Sequence, residues 1–405
     1  MTIALLALLV LLPQEKISEA TRKALDDYLR APAASETPAL VLAVKALKGN
    51  LTLATEAVRS HSPLTVVQPG TNHGLKFVSG GKEWEYSIRL PADYDGKKRF
   101  PVLVLPDHVT IGPEDGIATW EKAKEDVEKY LLFRPVITQH QKDPDRFPQD
   151  TTLRRDYAMA QVMADGLTHL RLNYAADADR IVMTGLSQAG YYTYVYAAAL
   201  PDQFAGIVPE STGGTMVKPT ILPLAANLKS VAVRVLHAKA DEITPYADAE
   251  MMRDAIVQAG GKVDFITYED ADFPGDPGKR HPGPFLLRLK NVLPWGLEQK
   301  REIPSTLTRV IRYGVQGAEG RWRVAPPENI FKPKTVTCSE DKGVLTVKGS
   351  DAIYLVAPED IIAKKTFQVG KTKVQPKADL QLLLRSFKAL GDPRRLAAAE
   401  IPVAP

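Results

Sequence analysis

Residues 180–190 read Arg-Ile-Val-Met-Thr-Gly-Leu-Ser-Gln-Ala-Gly, and this stretch decides the interpretation of the fold. Its first half is apolar, as a buried strand is, and the Ala-rich residues 189–200 that follow are typical of a helix. Ser187 stands at the turn between them, with Gly185 and Ala189 two residues to either side. Small residues are needed there because strand and helix converge closely where a tight turn lifts a serine above the sheet edge. The stretch predicts that Ser187 is a nucleophile; the alternative is an ordinary strand–helix turn.

Strands and helices alternate on both sides of this turn. The continuous apolar run at 101–105 is what a strand inside a parallel sheet needs. Residues 82–90 alternate with period two, which is typical of a half-buried antiparallel strand. The alternation predicts an α/β fold with a mostly parallel, doubly wound sheet. Further helices are predicted at 120–132, 156–172, 247–259 and 284–300, and further strands at 134–138, 180–184, 204–209, 231–238 and 262–268.

Composition excludes several classes of protein. The chain has 405 residues, of which 44% are hydrophobic and 25% charged, as in ordinary globular proteins rather than disordered or fibrous ones. The formal charge of +4 is spread along the chain instead of forming a basic stripe, so we expect no nucleic-acid partner. Cys338 is the sole cysteine, which excludes intramolecular disulfides, cysteine-based metal sites and Cys–Cys redox chemistry.

The first twelve residues, MTIALLALLVLL, are apolar almost without interruption. A membrane-spanning helix needs about 20 such residues, whereas the core of a signal peptide needs about 7–15. We therefore predict a signal peptide at 1–14, export to the periplasm or the medium, and no stable membrane insertion after its removal. The alternative is a buried N-terminal strand or helix.

The pattern divides the rest of the chain into three parts. Residues 15–71 are polar and Ala-rich and predict a helical extension, and residues 72–300 carry the alternation of strands and helices. Residues 301–405 contain short alternating runs interrupted by Gly and Pro, which predict a small all-β module of about six strands. A tail helix at 379–390, with Gly391 at its C-cap, ends this module.

A serine hydroxyl is a poor nucleophile unless a base takes its proton, and a histidine is the usual base. Of the seven histidines, only His237 and His281 follow Ser187. His237 lies inside a predicted strand, where a buried structural histidine is the ordinary interpretation. His281 lies in a Pro- and Gly-rich loop before the last helix, at the sheet edge where catalytic side chains collect. We predict that His281 is the base; the alternative is a surface histidine.

A carboxylate should orient the imidazole and balance its charge. Asp241 comes just after a buried strand, and the order Ser187…Asp241…His281 is one of the orders in which such triads occur. We therefore predict Asp241 as the acid. Glu210, at the end of the preceding strand, is expected to be structural. The competing carboxylates are Glu242, Asp270, Asp272 and Asp276.

Backbone N–H groups should bind the oxyanion that forms during acyl transfer. Gln188 supplies one, because it stands at the N-terminus of the helix after Ser187. The second should come from the turn Pro106-Asp107-His108; proline has no N–H, so Asp107 or His108 must donate. The His108 side chain either contacts substrate or has no catalytic role.

With these residues, the chain resembles the α/β-hydrolase superfamily. Within it, the chain is similar to exported polyhydroxybutyrate-depolymerase-like, feruloyl-esterase-like and prolyl-oligopeptidase-like hydrolases. Two motifs depart from the family pattern: Pro106-Asp107-His108 replaces His-Gly-Gly, and Arg280-His281 replaces Gly-His. Besides the turn at Ser187, the resemblance rests on residues 84–91, 100–105, 173–181, 200–209 and 237–245, and it extends over about 72–300.

The resemblance implies a serine hydrolase that needs no cofactor or metal and cleaves a carboxylic ester in a small or polymeric substrate. Ser187 would attack the acyl carbonyl and form an acyl-enzyme, while His281, oriented by Asp241, transfers the proton. Two alternatives stay open. One is a serine peptidase of the prolyl-oligopeptidase-like type, and the other is a catalytically silent, exported binding or scaffold module.

Overall fold

The computed structural model describes residues 17–65, 67–109, 113–213, 220–273, 280–281, 283, 285–312, 320–327 and 329–405. The predicted signal peptide at 1–14 lies outside these residues. Within them, no helix is both long and apolar enough to cross a membrane. The helices are α1 (Glu19–Arg30), α2 (Glu36–Ala46), α3 (Leu51–Arg59), α4 (Pro113–Glu121), α5 (Thr152–Asn173), α6 (Gln188–Ala199), α7 (Tyr246–Gln258), α8 (Phe285–Glu298), α9 (Pro358–Ile362) and α10 (Leu380–Leu390).

An eight-stranded sheet forms the centre of the fold, with the strand order β1-β2-β4-β3-β5-β6-β7-β8. The pairs β1–β2 and β2–β4 are antiparallel. The remaining neighbours in this order, β4–β3, β3–β5, β5–β6, β6–β7 and β7–β8, are all parallel. The predicted α/β class with a mostly parallel sheet is therefore confirmed. The strands are β1 (Gly70–Ser79), β2 (Lys82–Leu90), β3 (Phe100–Val104), β4 (Leu131–Pro135), β5 (Ala176–Leu186), β6 (Gly206–Glu210), β7 (Ala232–Ala238) and β8 (Val263–Tyr268).

Apolar side chains are buried on both faces of this sheet. Val102 and Met183 belong to one core, which α5 and α6 cover, whereas Leu103 and Val182 belong to a second core with α4 and α8. Successive residues of a strand point to opposite faces, so a strand that is covered on both sides must be apolar throughout. This explains the uninterrupted apolar runs of β3 and β5.

Two predictions near the start of the sheet were wrong. The helix predicted at 120–132 is instead the end of α4, a 3₁₀ turn at Lys124–Lys129 and the first residues of β4. Strand β4 begins before the predicted residue 134 because the side chains of Leu131–Phe133 are fully buried between β2 and β3.

Strand β1 was not predicted, since only Phe77 and Ser79 of its ten residues are buried and the periodic signal is short.

The predicted C-terminal β module and its tail helix are confirmed. Two sheets pack around Trp322, Tyr354 and Phe367, one with the order β15-β14-β12-β11-β9 and the other with the order β10-β13-β16. Gly391 ends α10 in the left-handed conformation, with φ at 61°. Two of the strands, β15 and β16, were not predicted. The strands are β9 (Thr306–Ile311), β10 (Trp322–Val324), β11 (Lys334–Asp341), β12 (Val344–Lys348), β13 (Ala352–Val356), β14 (Phe367–Val369), β15 (Thr372–Val374) and β16 (Ala399–Val403).

The N-terminal helices share a hydrophobic core with the tail helix. Tyr28 of α1, Leu40 of α2 and Leu53 of α3 are buried in one cluster with Leu383 and Phe387 of α10. The structure places α1, α2 and α3 in the region of the predicted N-terminal extension. The two ends of the described chain thus stabilise each other.

Buried ion pairs join the central sheet to the C-terminal residues. Arg301 is 3% exposed and lies 2.7 Å from an oxygen of Asp392 and 3.0 Å from an oxygen of Asp179. Arg309 of β9 lies 2.8 Å from Asp202, and both side chains are almost fully buried. A buried charge that loses its partner is costly, so these pairs hold the β module against the sheet.

Breaking one of these pairs should destabilise the protein strongly. Asp392→Ala removes one carboxylate from Arg301, and we expect the free energy of unfolding to fall by about 3 kcal/mol. The control is Asp93→Ala, which removes an exposed carboxylate 2.8 Å from Lys98 and should change stability very little. Guanidinium unfolding compares the two variants. Equal midpoints would contradict the expected cost of leaving the buried Arg301 without this carboxylate.

Candidate active site

Ser187 occupies the sharp turn between β5 and α6. Its backbone is in a strained conformation, with φ at 57° and ψ at −117°, which a residue other than glycine seldom adopts. The backbone N–H of Ser187 donates a hydrogen bond of 2.8 Å to the carbonyl of Glu210 at the end of β6. The turn therefore lies at the carboxyl edge of the sheet and is tied to the neighbouring strand.

The small residues around Ser187 are required by close packing. A Cβ atom at Gly185 would lie 2.5 Å from the backbone carbonyl of Ala189. At Gly190, a Cβ atom would lie 2.8 Å from the carbonyl oxygen of Gly185 and 2.9 Å from that of Glu210. Strand and helix thus converge as the small-x-Ser-x-small pattern predicts.

Asp241 and His281 form a hydrogen-bonded pair near this edge of the sheet. The Nδ1 atom of His281 lies 2.9 Å and 3.1 Å from the two carboxylate oxygens of Asp241. Asp241 follows β7 and also accepts hydrogen bonds from the N–H groups of Ile243 and Thr244, at 2.8 Å and 3.0 Å. Its carboxylate is fully buried, whereas the His281 side chain is 14% exposed. The carboxylate is fixed by its own loop, and it orients the imidazole.

The surroundings of Asp241 favour its ionised form. Burial alone would raise the pKa of this carboxyl group, but hydrogen bonds from His281, Thr244 and Ile243 outweigh burial and lower the pKa to about 2. Asp241 therefore carries a negative charge at any pH at which the protein is expected to work.

The lowered pKa of Asp241 predicts a loss of stability in acid. A carboxyl group with a folded-state pKa near 2 stabilises the protein by about 2 kcal/mol above its ordinary pKa, and loses this as pH falls toward 2. At pH 6, the free energy of unfolding of the wild type should therefore be higher than that of Asp241→Asn. At pH 3, this difference should be about half as large. A difference that stays constant between these pH values would contradict the interpretation.

His237 also lies beside Asp241, at the end of β7. The side chain is fully buried, and Nε2 is 2.9 Å from the backbone carbonyl of Thr244 and 3.5 Å from Asp241. Burial lowers the pKa of this imidazole. The position agrees with the expectation of a structural strand histidine, here one that supports the loop carrying Asp241.

The turn after β3 is pinned by the side chain of Asp107. This carboxylate is 1% exposed and accepts hydrogen bonds of 3.0, 2.7 and 2.8 Å from the successive N–H groups of Ile137, Thr138 and Gln139. The sequence suggested only a backbone role for Asp107, because the amides it binds follow β4, about thirty residues further along the chain.

The same turn contacts the start of α6. The N–H of Val109 donates to the side-chain oxygen of Gln188, at 3.2 Å. Burial lowers the pKa of His108; the negative charge of Asp107 opposes this, and the positive charge of Arg134 adds to it. The hydrogen bond from Val109 therefore joins the two segments in which the sequence predicts the oxyanion donors, the turn after β3 and the start of α6.

The other candidate carboxylates have different partners. Glu242 and Asp270 both pair with Arg280, and Asp272 accepts the N–H of Glu269. Glu210 pairs with Arg288, as the structural interpretation of Glu210 implies. Asp276 lies outside the described residues. In the part of the chain that the structure describes, no group of three or more His, Cys, Asp or Glu side chains is arranged to hold a metal ion.

Comparison with known proteins finds similarity over part of the chain. A family model described as phospholipase/carboxylesterase matches residues 152–273. A putative carboxymethylenebutenolidase of Salmonella typhi is 29% identical over 156 residues, which are 36% of this chain and 57% of that protein. The corresponding protein of Escherichia coli strain K12 is 28% identical over the same length. The match thus spans little more than half the length of these relatives.

Solved structures give weaker similarities. A thermostable esterase is 20% identical with a TM-score of 0.45, and the match covers 57% of this chain and 63% of that one. An acylaminoacyl peptidase of Pyrococcus horikoshii is 16% identical with a TM-score of 0.44, and the match covers 59% and 43%. The matched family model, the curated relatives and the strand order of the central sheet agree on the fold: the chain has the α/β-hydrolase fold.

Proposed function

We propose that the protein is a serine hydrolase that cleaves a carboxylic ester with the triad Ser187, His281 and Asp241. The observation that carries the proposal is the 2.9 Å hydrogen bond between His281 Nδ1 and the buried carboxylate of Asp241. A carboxylate at Nδ1 fixes the tautomer in which Nε2 is unprotonated, and this nitrogen can accept the serine proton. The strained turn at Ser187 supports its role as the nucleophile.

The reaction proceeds in two halves. Ser187 Oγ attacks the acyl carbonyl while His281 Nε2 takes its proton, and a tetrahedral intermediate forms. The intermediate collapses when His281 returns the proton to the leaving alcohol, which produces the acyl-enzyme. Water then attacks the acyl carbon while His281 Nε2 takes one of its protons. As the bond to Ser187 Oγ breaks, His281 returns the proton to this oxygen and the acid product leaves. Asp241 stays ionised throughout and stabilises the imidazolium in each half.

The oxyanion of both intermediates requires hydrogen-bond donors. Gln188 is the first residue of α6, where a backbone N–H has no partner within the helix and the helix dipole favours negative charge. The second donor is the N–H of Asp107 or His108, in the turn that the Asp107 side chain pins to the residues after β4. A fixed turn supports the proposal, because donors held in place need no rearrangement during the reaction.

An ester is the substrate that the comparisons favour. The matched family model is described as phospholipase/carboxylesterase, and the curated relatives are named putative carboxymethylenebutenolidases. The test is turnover of p-nitrophenyl esters of graded acyl length beside peptide p-nitroanilides. We expect ester turnover that Ser187→Ala abolishes. Turnover of peptides alone would assign the site to a peptidase, and turnover of neither class would favour a binding or scaffold module.

A further inference from the structure

A buried ion pair outside the triad is hydrogen-bonded to the strand and turn that carry the proposed nucleophile. The carboxylate of Glu210, at the end of β6, is fully buried and receives hydrogen bonds from two nitrogens of Arg288 on α8. The Arg288 side chain is 12% exposed, and its guanidinium lies 6.0 Å from the ring of Trp120. Such an arrangement, with two hydrogen bonds between the same two groups, fixes both distance and orientation.

Glu210 connects to the nucleophile strand in two ways. Its backbone carbonyl accepts the N–H of Ser187 at 2.8 Å. Its side chain accepts a hydrogen bond of 2.7 Å from the hydroxyl of Thr184, three residues before Ser187. The position of this carboxylate is therefore coupled to the turn that carries Ser187.

Arg288 connects the pair to the segment that carries the base. It lies seven residues after His281, on the first part of α8. A Cβ atom at Gly283, two residues after His281, would lie 3.5 Å from the Cδ atom of Arg288. Arg288 therefore lies close to the backbone that follows His281.

We infer that Glu210 and Arg288 are positioning residues that set the placement of His281 relative to Ser187. The inference rests on the proposed function, in which Ser187 is the nucleophile and His281 is the base. Neither Glu210 nor Arg288 contacts the reacting atoms; the pair acts by holding β6 and α8 together. A buried ion pair is a poor device for stability alone, because removing both charges from water offsets their attraction. What the pair contributes is a fixed distance and orientation between β6 and α8.

The test separates this constraint from simple charge compensation. The double variant Glu210→Gln, Arg288→Met removes both charges together, so no unpaired charge is left in the interior and the protein should fold. Misplacement of reacting groups by about 1 Å slows a reaction about 100-fold. We therefore expect kcat to fall about 100-fold while KM for a p-nitrophenyl ester changes less than about threefold. Wild-type kcat in the folded double variant would overturn the inference.

A second variant keeps the test decisive if the double variant does not fold. Arg288→Lys retains the positive charge but loses the two parallel hydrogen bonds, and we expect kcat to fall about tenfold with KM unchanged. An unchanged kcat would overturn the inference as well. The matched control is Asp202→Asn, Arg309→Met, which removes a buried pair of the same kind at the β module and should leave kcat unchanged.

Failure of the proposed function gives a different result. If Ser187→Ala retained ester turnover, the triad itself would be wrong, whatever the ion-pair variants do. If Ser187→Ala is inactive and the ion-pair variants turn over at the wild-type rate, the triad stands and only the positioning role is refuted.

Discussion

Replacing Ser187 with alanine should reduce kcat about 10⁴–10⁶-fold and leave the fold intact, as the removal of a triad nucleophile does. The reason is that alanine has no oxygen to form the bond to the acyl carbon. Alanine removes one oxygen and keeps the backbone N–H that donates to Glu210, so the turn retains its hydrogen bond to β6. The melting temperature should therefore stay close to that of wild type.

The control is Ser60→Ala, which changes an exposed serine that follows α3, away from the central sheet. This variant should have wild-type kcat and KM. If Ser187→Ala kept more than a tenth of wild-type activity, Ser187 would not be the nucleophile, and the role of the strained turn would need another explanation.

Replacing His281 with asparagine should abolish activity to nearly the same extent. Without the imidazole, the serine proton has no acceptor, and the leaving alcohol has no donor. His237→Asn is the matched variant, because His237 also lies beside Asp241 but donates to the carbonyl of Thr244. We expect His237→Asn to lower thermal stability and to keep kcat within about tenfold of wild type, since a buried polar contact is lost but the base remains.

The opposite result would redraw the site. If a folded His237→Asn enzyme were inactive and His281→Asn stayed active, the base would lie at the end of β7 rather than in the loop before α8. Far-UV circular dichroism and thermal melting of both variants decide whether a loss of activity reflects the chemistry or the fold.

The central sheet could be predicted from sequence because its signals are local. A strand covered on both faces must be apolar throughout, and the run at β3 satisfies this with each of its five side chains buried. The prediction failed at β4, where the apolar residues that begin the strand follow the polar turn at Lys124–Lys129 without a clear break. There, pairing with β2 and β3 overrides the helical pattern of the preceding residues.

The candidate site could be predicted in part. Ser187, Asp241 and His281 each follow or precede a recognisable element, so their order along the chain was informative. The side-chain role of Asp107 and the pairing of Glu210 with Arg288 had no local signal. These contacts join residues about 30 and 78 positions apart, and only the three-dimensional arrangement of the strands brings them together.

The most direct test of the proposed function is the site of reaction with a fluorophosphonate, which modifies a serine only when a base activates it. After incubation with the probe and digestion, mass spectrometry should find one adduct, on the peptide that contains Ser187, and none in Ser187→Ala or His281→Asn. An adduct on another serine, or equal labelling of the His281→Asn variant, would contradict the proposal that Ser187 and His281 act together.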